Sequence, residues 1–297
     1  MPFFIALIIL CIIVLTAIML CSAILLAMWQ ERKSSRYKTF FYKSWWNEGF
    51  INLFTFIFFL LTMYARCFSN TAFIFLYLNR YPWWTKFAQI TVEHVLCIQI
   101  MNVLLTVAAR FFNLCLPLSR IALVAEKLGN WQIFVLQAFV PTLVVIPLYA
   151  LFDFQYGLDD VTTPLLLRSP SVHYDQIMLL IGLIYRVAAL VLCVFVYISL
   201  FWTVRKKAKR SETNILIYGG CLLLALAAVV LCTICRGFRI GEDEAFMRLF
   251  YLTLMLWIPC TDILMTICVI TPVRESIFKR FKKFRIIFAA STNGESS

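Results

Sequence analysis

Uncharged apolar runs of membrane-crossing length recur along this chain, separated by short polar clusters rich in lysine and arginine. A bilayer core takes roughly 20 apolar residues of helix. On that criterion the pattern predicts seven spans, over about residues 2–29, 44–65, 87–118, 130–152, 175–204, 214–235 and 246–273. The first stays uncharged until Glu31 and has no basic segment ahead of it. It is too long for the core of a cleaved signal peptide and reads as a retained helix. The expected architecture is all-α and integral to the membrane, a seven-transmembrane-helix bundle over residues 1–273. An interfacial helix over 274–288 and a disordered tail over 289–297 would follow it.

Composition supports the membrane reading. The chain is 63% hydrophobic and 14% charged, with mean hydropathy +0.88 and 28 phenylalanines, whereas soluble domains are about half apolar. The net charge of +12 changes meaning once it is sorted by loop. Of the 27 Lys and Arg, 19 fall at the first, third and fifth connections and after the seventh span, counting Arg110 near the end of the third span with the third connection; 7 fall at the even connections, counting Arg248 at the start of the seventh span; and Arg186 lies well within a span. Basic residues collect on the cytoplasmic side. This predicts an outside N-terminus and a cytoplasmic C-terminus, and it excludes nucleic acid as the partner that the charge serves. Most of the 11 cysteines sit inside apolar runs, and the CTIC pair Cys232 and Cys235 has no second pair or histidine cluster nearby. They read as packing residues rather than metal ligands. No cofactor or metal motif stands out. The lack of a repeat or an inverted half-to-half symmetry counts against a transporter or channel. A non-signalling membrane scaffold is the other alternative.

Near the end of the third predicted span, "NVLLTVAARFFNLCLPLSR" places Arg110 seven residues before Pro117-Leu118. An arginine with Pro-Leu at that spacing resembles the cytoplasmic end of the third helix of rhodopsin-like receptors. The segment from Leu116 to Leu148, "LPLSRIALVAEKLGNWQIFVLQAFVPTLVVIPL", resembles more narrowly the nematode serpentine chemoreceptors, in particular serpentine receptor class V of the class-gamma superfamily. "YKTFFYKSWWNEGFINL" (Tyr37 to Leu53) and "VRESIFKRF" (Val273 to Phe281) are similar too. The resemblance implies rhodopsin-like architecture and a G-protein-coupled chemosensory receptor in the plasma membrane, with a sensory cilium as one expected location. An external small-molecule or peptide ligand would bind among the outer helix halves, and a heterotrimeric G protein would be the partner inside. The chain departs from the broad pattern at three places. Ala109 stands where an acid precedes the arginine, and Pro259-Cys260-Thr261-Asp262 stands where Asn-Pro-x-x-Tyr is expected. The second outer loop, Phe154 to Tyr174, has no cysteine for the usual disulfide.

Ionisable residues inside spans are the site candidates, because burying a charge in hydrocarbon needs a partner or a purpose. With the resemblance, Arg110 becomes a conformational switch whose partner would be Glu48 or Glu212; the plainer alternative is snorkelling to the headgroups. Asp262 is grouped with this switch set, with Asn52 and Asn102 as neighbours across the bundle, where interhelical hydrogen bonding is the simpler role. Glu93, His94 and Arg186 fall in the outer half and are ligand-pocket candidates, or else an internal ion pair. After the seventh span Ile277, Phe281, Phe284 and Phe288 form one apolar helical face, with Lys279, Lys282 and Lys283 off it. That pattern suits a helix lying on the membrane surface, an eighth helix in a receptor.

Overall fold

A computed structural model describes residues 2–33, 39–65, 68–116, 119–151, 153–157, 166–168, 174–207, 210–237, 253, 256–270, 273–275 and 277. The described elements are nine α-helices and a two-stranded hairpin: α1 (Pro2–Glu31), α2 (Phe40–Phe59), α3 (Ser69–Leu78), α4 (Pro82–Cys115), α5 (Arg120–Lys127), α6 (Asn130–Leu151), β1 (Gln155–Gly157), β2 (Leu166–Arg168), α7 (Tyr174–Lys207), α8 (Arg210–Gly237) and α9 (Trp257–Val269). Helix α2 runs on through a π-helical turn over Leu60–Tyr64. Six of the helices are long and apolar enough to cross a membrane, and α9 is a shorter apolar helix. Together they form a seven-helix bundle. Many large apolar side chains face outward, among them Ile5, Ile12, Met19, Leu143, Phe195 and Leu224, which is the surface that lipid requires.

Cross-bundle contacts fix how the helices run. Gln99 Nε2 donates to Thr55 Oγ1 at 3.2 Å and Arg110 sits over Phe41, so α4 is antiparallel to α2. Glu93 pairs with Arg186 and Cys115 Sγ lies 3.2 Å from Thr203 Oγ1, so α7 runs parallel to α4. Arg186 meets Thr233 and Tyr197 OH donates to Leu216 O, so α8 turns back along α7. At Gly49 α1 crosses close to α2: a Cβ there would come within 2.7 Å of Leu25 Cδ2, so a side chain at this position would have to displace the leucine. The close approach also lets Cys21 Sγ donate to Gly49 O.

The two ends of the bundle differ. One carries α5, whose N-cap Ser119 accepts from Ala122 N at 3.2 Å. Glu126 Oε2 accepts from Phe40 N, the first residue of α2, at 3.0 Å. In return Lys43 Nζ donates to Glu126 O and Leu128 O at the end of α5, at 3.1 and 2.8 Å. A carboxylate thus serves one helix N-terminus and an ammonium the C-terminus of another, both favoured by the helix dipoles. Lys43→Met is expected to lower stability by about 1.5–3 kcal/mol, read as a lower thermal midpoint of the detergent-purified protein. The opposite end carries α3 and the β1–β2 hairpin, in which Gln155 pairs with Arg168.

The expected spans and the observed helices differ at their edges. Helix α2 begins at Phe40 rather than near residue 44, because Glu126 from α5 satisfies its first N–H. The third span begins at Pro82, where proline suits the first helical turn. Helix α3, helix α5 and the hairpin were not expected; each is too short to show in a pattern read for spans. The seventh span is described as a helix only over Trp257–Val269. Phe281, Phe284, Phe288, Lys279, Lys282 and Lys283 of the expected surface helix lie outside the described residues. Ile277 is buried against the main core.

Candidate functional site

Polar residues recur at helical spacing on the inner faces of α2 and α4. Glu48, Asn52 and Thr55 follow one another by four and three on α2; Gln99, Asn102 and Thr106 by three and four on α4. All six are buried. The antiparallel register set by Gln99 and Thr55 brings Asn102 to the level of Asn52 and Thr106 to that of Glu48. Asp262 of α9 closes this layer. Its Oδ2 accepts from Asn52 Nδ2 at 2.9 Å and its Oδ1 accepts from Tyr218 OH of α8. One carboxylate therefore ties three helices together. Glu48, one turn before Asn52, lies in the electrostatic range of Asp262, and its Oε2 has no hydrogen-bond partner among the described residues. Asn102 is fully buried, and neither polar atom of its side-chain amide has a hydrogen-bond partner among the described residues. Of the two amides expected to face Asp262, then, only Asn52 is bonded to it.

Arg110 lies on α4 two turns beyond Asn102, toward the α5 end. Its guanidinium carbon stands 3.3 Å from the ring centroid of Phe41, a cation–π stack. It makes no ion pair among the described residues, and its Nε has no partner. Arg110 is thus not joined to Glu48: Glu48 sits deeper, in the Asp262 layer, and the aromatic face of Phe41 occupies the guanidinium instead. The side chain of Glu212, and Pro117-Leu118, lie outside the described residues.

Toward the hairpin end, Arg186 Nη2 donates to Glu93 Oε2 at 2.9 Å and Nη1 to Thr233 Oγ1 at 2.7 Å. Both charged residues are buried, so this ion pair links α4, α7 and α8 inside the bundle. His94, next to Glu93, meets Thr142 Oγ1 of α6 at 3.0 Å. Thr142 spends its own hydroxyl hydrogen on Ala138 O one turn back, at 2.7 Å. The hydroxyl can therefore only accept, which makes His94 Nε2 the donor and fixes its tautomer. Thr233, bonded to Val229 O, and Thr55, bonded to Ile51 O, are turned into acceptors in the same way. Back-bonding to the preceding turn converts threonines into oriented acceptors at each interhelical contact. Glu93 and Arg186 are thus brought together and His94 is tied to another helix. No group of His, Cys, Asp and Glu suited to a metal ion occurs among the described residues.

Sequence reasoning missed Tyr218, Phe41, Thr233 and Thr142. Tyr218 carried a usable signal, since a phenol inside an apolar helix needs a partner. Phe41 is one of 28 phenylalanines and carried none.

The described helices form a seven-helix membrane bundle crossed by buried polar contacts. The chain belongs to the serpentine type 7TM GPCR chemoreceptor Srv family, whose profile matches residues 4–270. No curated protein matches the chain.

Proposed function

We propose that the protein is a chemosensory receptor that binds an external small-molecule or peptide ligand among the outer helix halves and activates a cytoplasmic heterotrimeric G protein. Membership of the chemoreceptor family over residues 4–270 supports the sensory part. The division of basic residues, 19 against 7, supports an outside N-terminus and puts the α5 end in the cytoplasm. Glu93, His94 and Arg186 then line the outer half, where a ligand that competes for either member of the ion pair would loosen α4 from α7 and α8.

The observation that carries the coupling half of the reading is Arg110. It is a half-buried arginine near the cytoplasmic end, its guanidinium stacked on an aromatic ring. A stack on Phe41 is weaker than a buried bidentate salt bridge, so Arg110 is poised to leave it when helices part and a G protein supplies new partners. In this scheme the Asp262 layer couples α2, α8 and α9, and transmits rearrangement between the two halves. Glu48 and Glu212 remain the carboxylates that could receive Arg110 in another state. Beyond the seventh span, Ile277 docks the start of the segment on the core, and the apolar face of Phe281, Phe284 and Phe288 with the cations Lys279, Lys282 and Lys283 is assigned to the inner membrane surface. The test is expression in a reporter cell challenged with a panel of volatile and water-soluble compounds. Calcium or cyclic-nucleotide responses that require the chain and a Gα subunit support the reading. Responses that persist when all Gα subunits are absent sink it.

A further inference from the structure

The hairpin end holds an aromatic side chain in an unusual place. Phe154 precedes β1 in a loop, yet it is 2% exposed. It packs against Ile90 and Cys97 of α4 and Val145 of α6, with Ile181 and Tyr185 of α7 at the edge. Ile90 and Cys97 bracket Glu93 and His94 along α4, and Tyr185 immediately precedes Arg186. The phenyl ring therefore fills an apolar chamber between three helices, beside the buried ion pair.

Anchors on both sides hold it there. Asp153 pairs with Lys86 Nζ at 3.0 Å. Two residues beyond Phe154, the backbone of Tyr156 is gripped from both directions by one amide. Asn79 Nδ2 donates to Tyr156 O at 2.9 Å and Asn79 Oδ1 accepts from Tyr156 N at 2.7 Å. The side chain of Asn79 thus imitates a neighbouring strand. The Tyr156 ring meets Phe75 of α3 edge-on, with centroids 5.4 Å apart. Asp153 and Gln155 face out while Phe154 and Tyr156 face in, the alternation of a strand. Asp153 is exposed and Asn79 half-buried, while the Tyr156 ring packs on α3; Phe154, between these anchors, is the part of the segment that enters among α4, α6 and α7.

We propose that Phe154 is a built-in plug of the ligand chamber, and that the chamber takes an apolar ligand about the size of one aromatic ring, entering as Phe154 leaves. The assignment of the chamber to ligand rests on the receptor reading above; the occupancy and its exchange do not. A ligand that competes with a tethered side chain binds with an affinity reduced by the fraction of time the plug is in place. The Asn79–Tyr156 clamp sets that fraction, which makes Asn79 a positioning residue for ligand entry.

Benzene is the probe, because an apolar cavity of phenyl size stays dry and takes it. The readout is the thermal midpoint of the purified full-length protein, with and without benzene. In Phe154→Ala the midpoint falls by several degrees and benzene raises it again, while the wild-type midpoint responds less. In Asn79→Asp, which keeps the acceptor for Tyr156 N but sets a carboxylate oxygen against Tyr156 O in place of the donor, a benzene response appears with Phe154 still present. The absence of a benzene-dependent shift in both variants overturns the proposal. Should Phe154→Ala fail to fold, Asn79→Asp decides alone by the same criterion. Because the measurement is direct binding, a chain that couples to no G protein can still pass it, and a coupled one can still fail it.

Discussion

Arg186→Met is expected to destabilise the protein by about 3–5 kcal/mol, the range for breaking a buried ion pair by removing one partner. The loss has two parts. Glu93 Oε2 gives up its donor at 2.9 Å inside a bundle where the two side chains are only 6% and 10% exposed. Thr233 Oγ1 loses its donor as well, although its own hydrogen bond to Val229 O survives. Because burying two charges is itself costly, the double variant Glu93→Leu with Arg186→Met should recover most of the loss. Arg186→Lys should fall between, since an ammonium lacks the fork that spans Glu93 and Thr233. Thermal unfolding of detergent-purified protein across this cycle gives the coupling. Single variants as stable as the wild type would mean that the pair is hydrated and does not hold α4, α7 and α8 together.

The second large effect is at Asp262. In Asp262→Leu, Asn52 Nδ2 and Tyr218 OH lose the acceptor they share, at about 1–3 kcal/mol for each buried donor left unmade. Asp262→Asn should be milder, because one oxygen remains to accept from one of the two donors. Tyr218→Phe removes a donor together with its need for a partner, so it should cost less than Asp262→Leu. The order expected for the thermal midpoints is wild type, Tyr218→Phe, Asp262→Asn, Asp262→Leu. A leucine variant equal to the wild type would show that the layer does not bind α2, α8 and α9.

The bundle was legible because bilayer thickness imposes a long, predominantly apolar signal on each span, and the chain repeats it. Buried charges were legible for a related reason: Glu93, Arg186 and Asp262 stand out where charge is expensive. Their pairings were only partly legible. Glu93 and Arg186 sit 93 positions apart in sequence, and nothing local sets an ion pair above a ligand contact. Arg110 illustrates the limit. Sequence reasoning sought a carboxylate for it, since charge attracts charge, but the near neighbour is an aromatic face on α2, which no residue-type pattern singles out. Helices α3 and α5 and the hairpin escaped because their amphipathic stretches are short and lie between much stronger signals. Phe154 escaped because depth inside a chamber is a tertiary property, set by anchors at Asn79 and Lys86 that are remote from it in sequence.

Guanine-nucleotide exchange tests the central claim most directly. Membranes carrying equal surface amounts of the wild type, Arg110→Ala or Phe41→Ala would be mixed with purified heterotrimers of each Gα class, and loading of a non-hydrolysable GTP analogue followed. The account predicts loading by the wild type above Arg110→Ala with at least one class. It also predicts that Phe41→Ala, in which the guanidinium has lost its resting platform, exceeds the wild type. Equal, background-level loading by all three proteins with every class would contradict it.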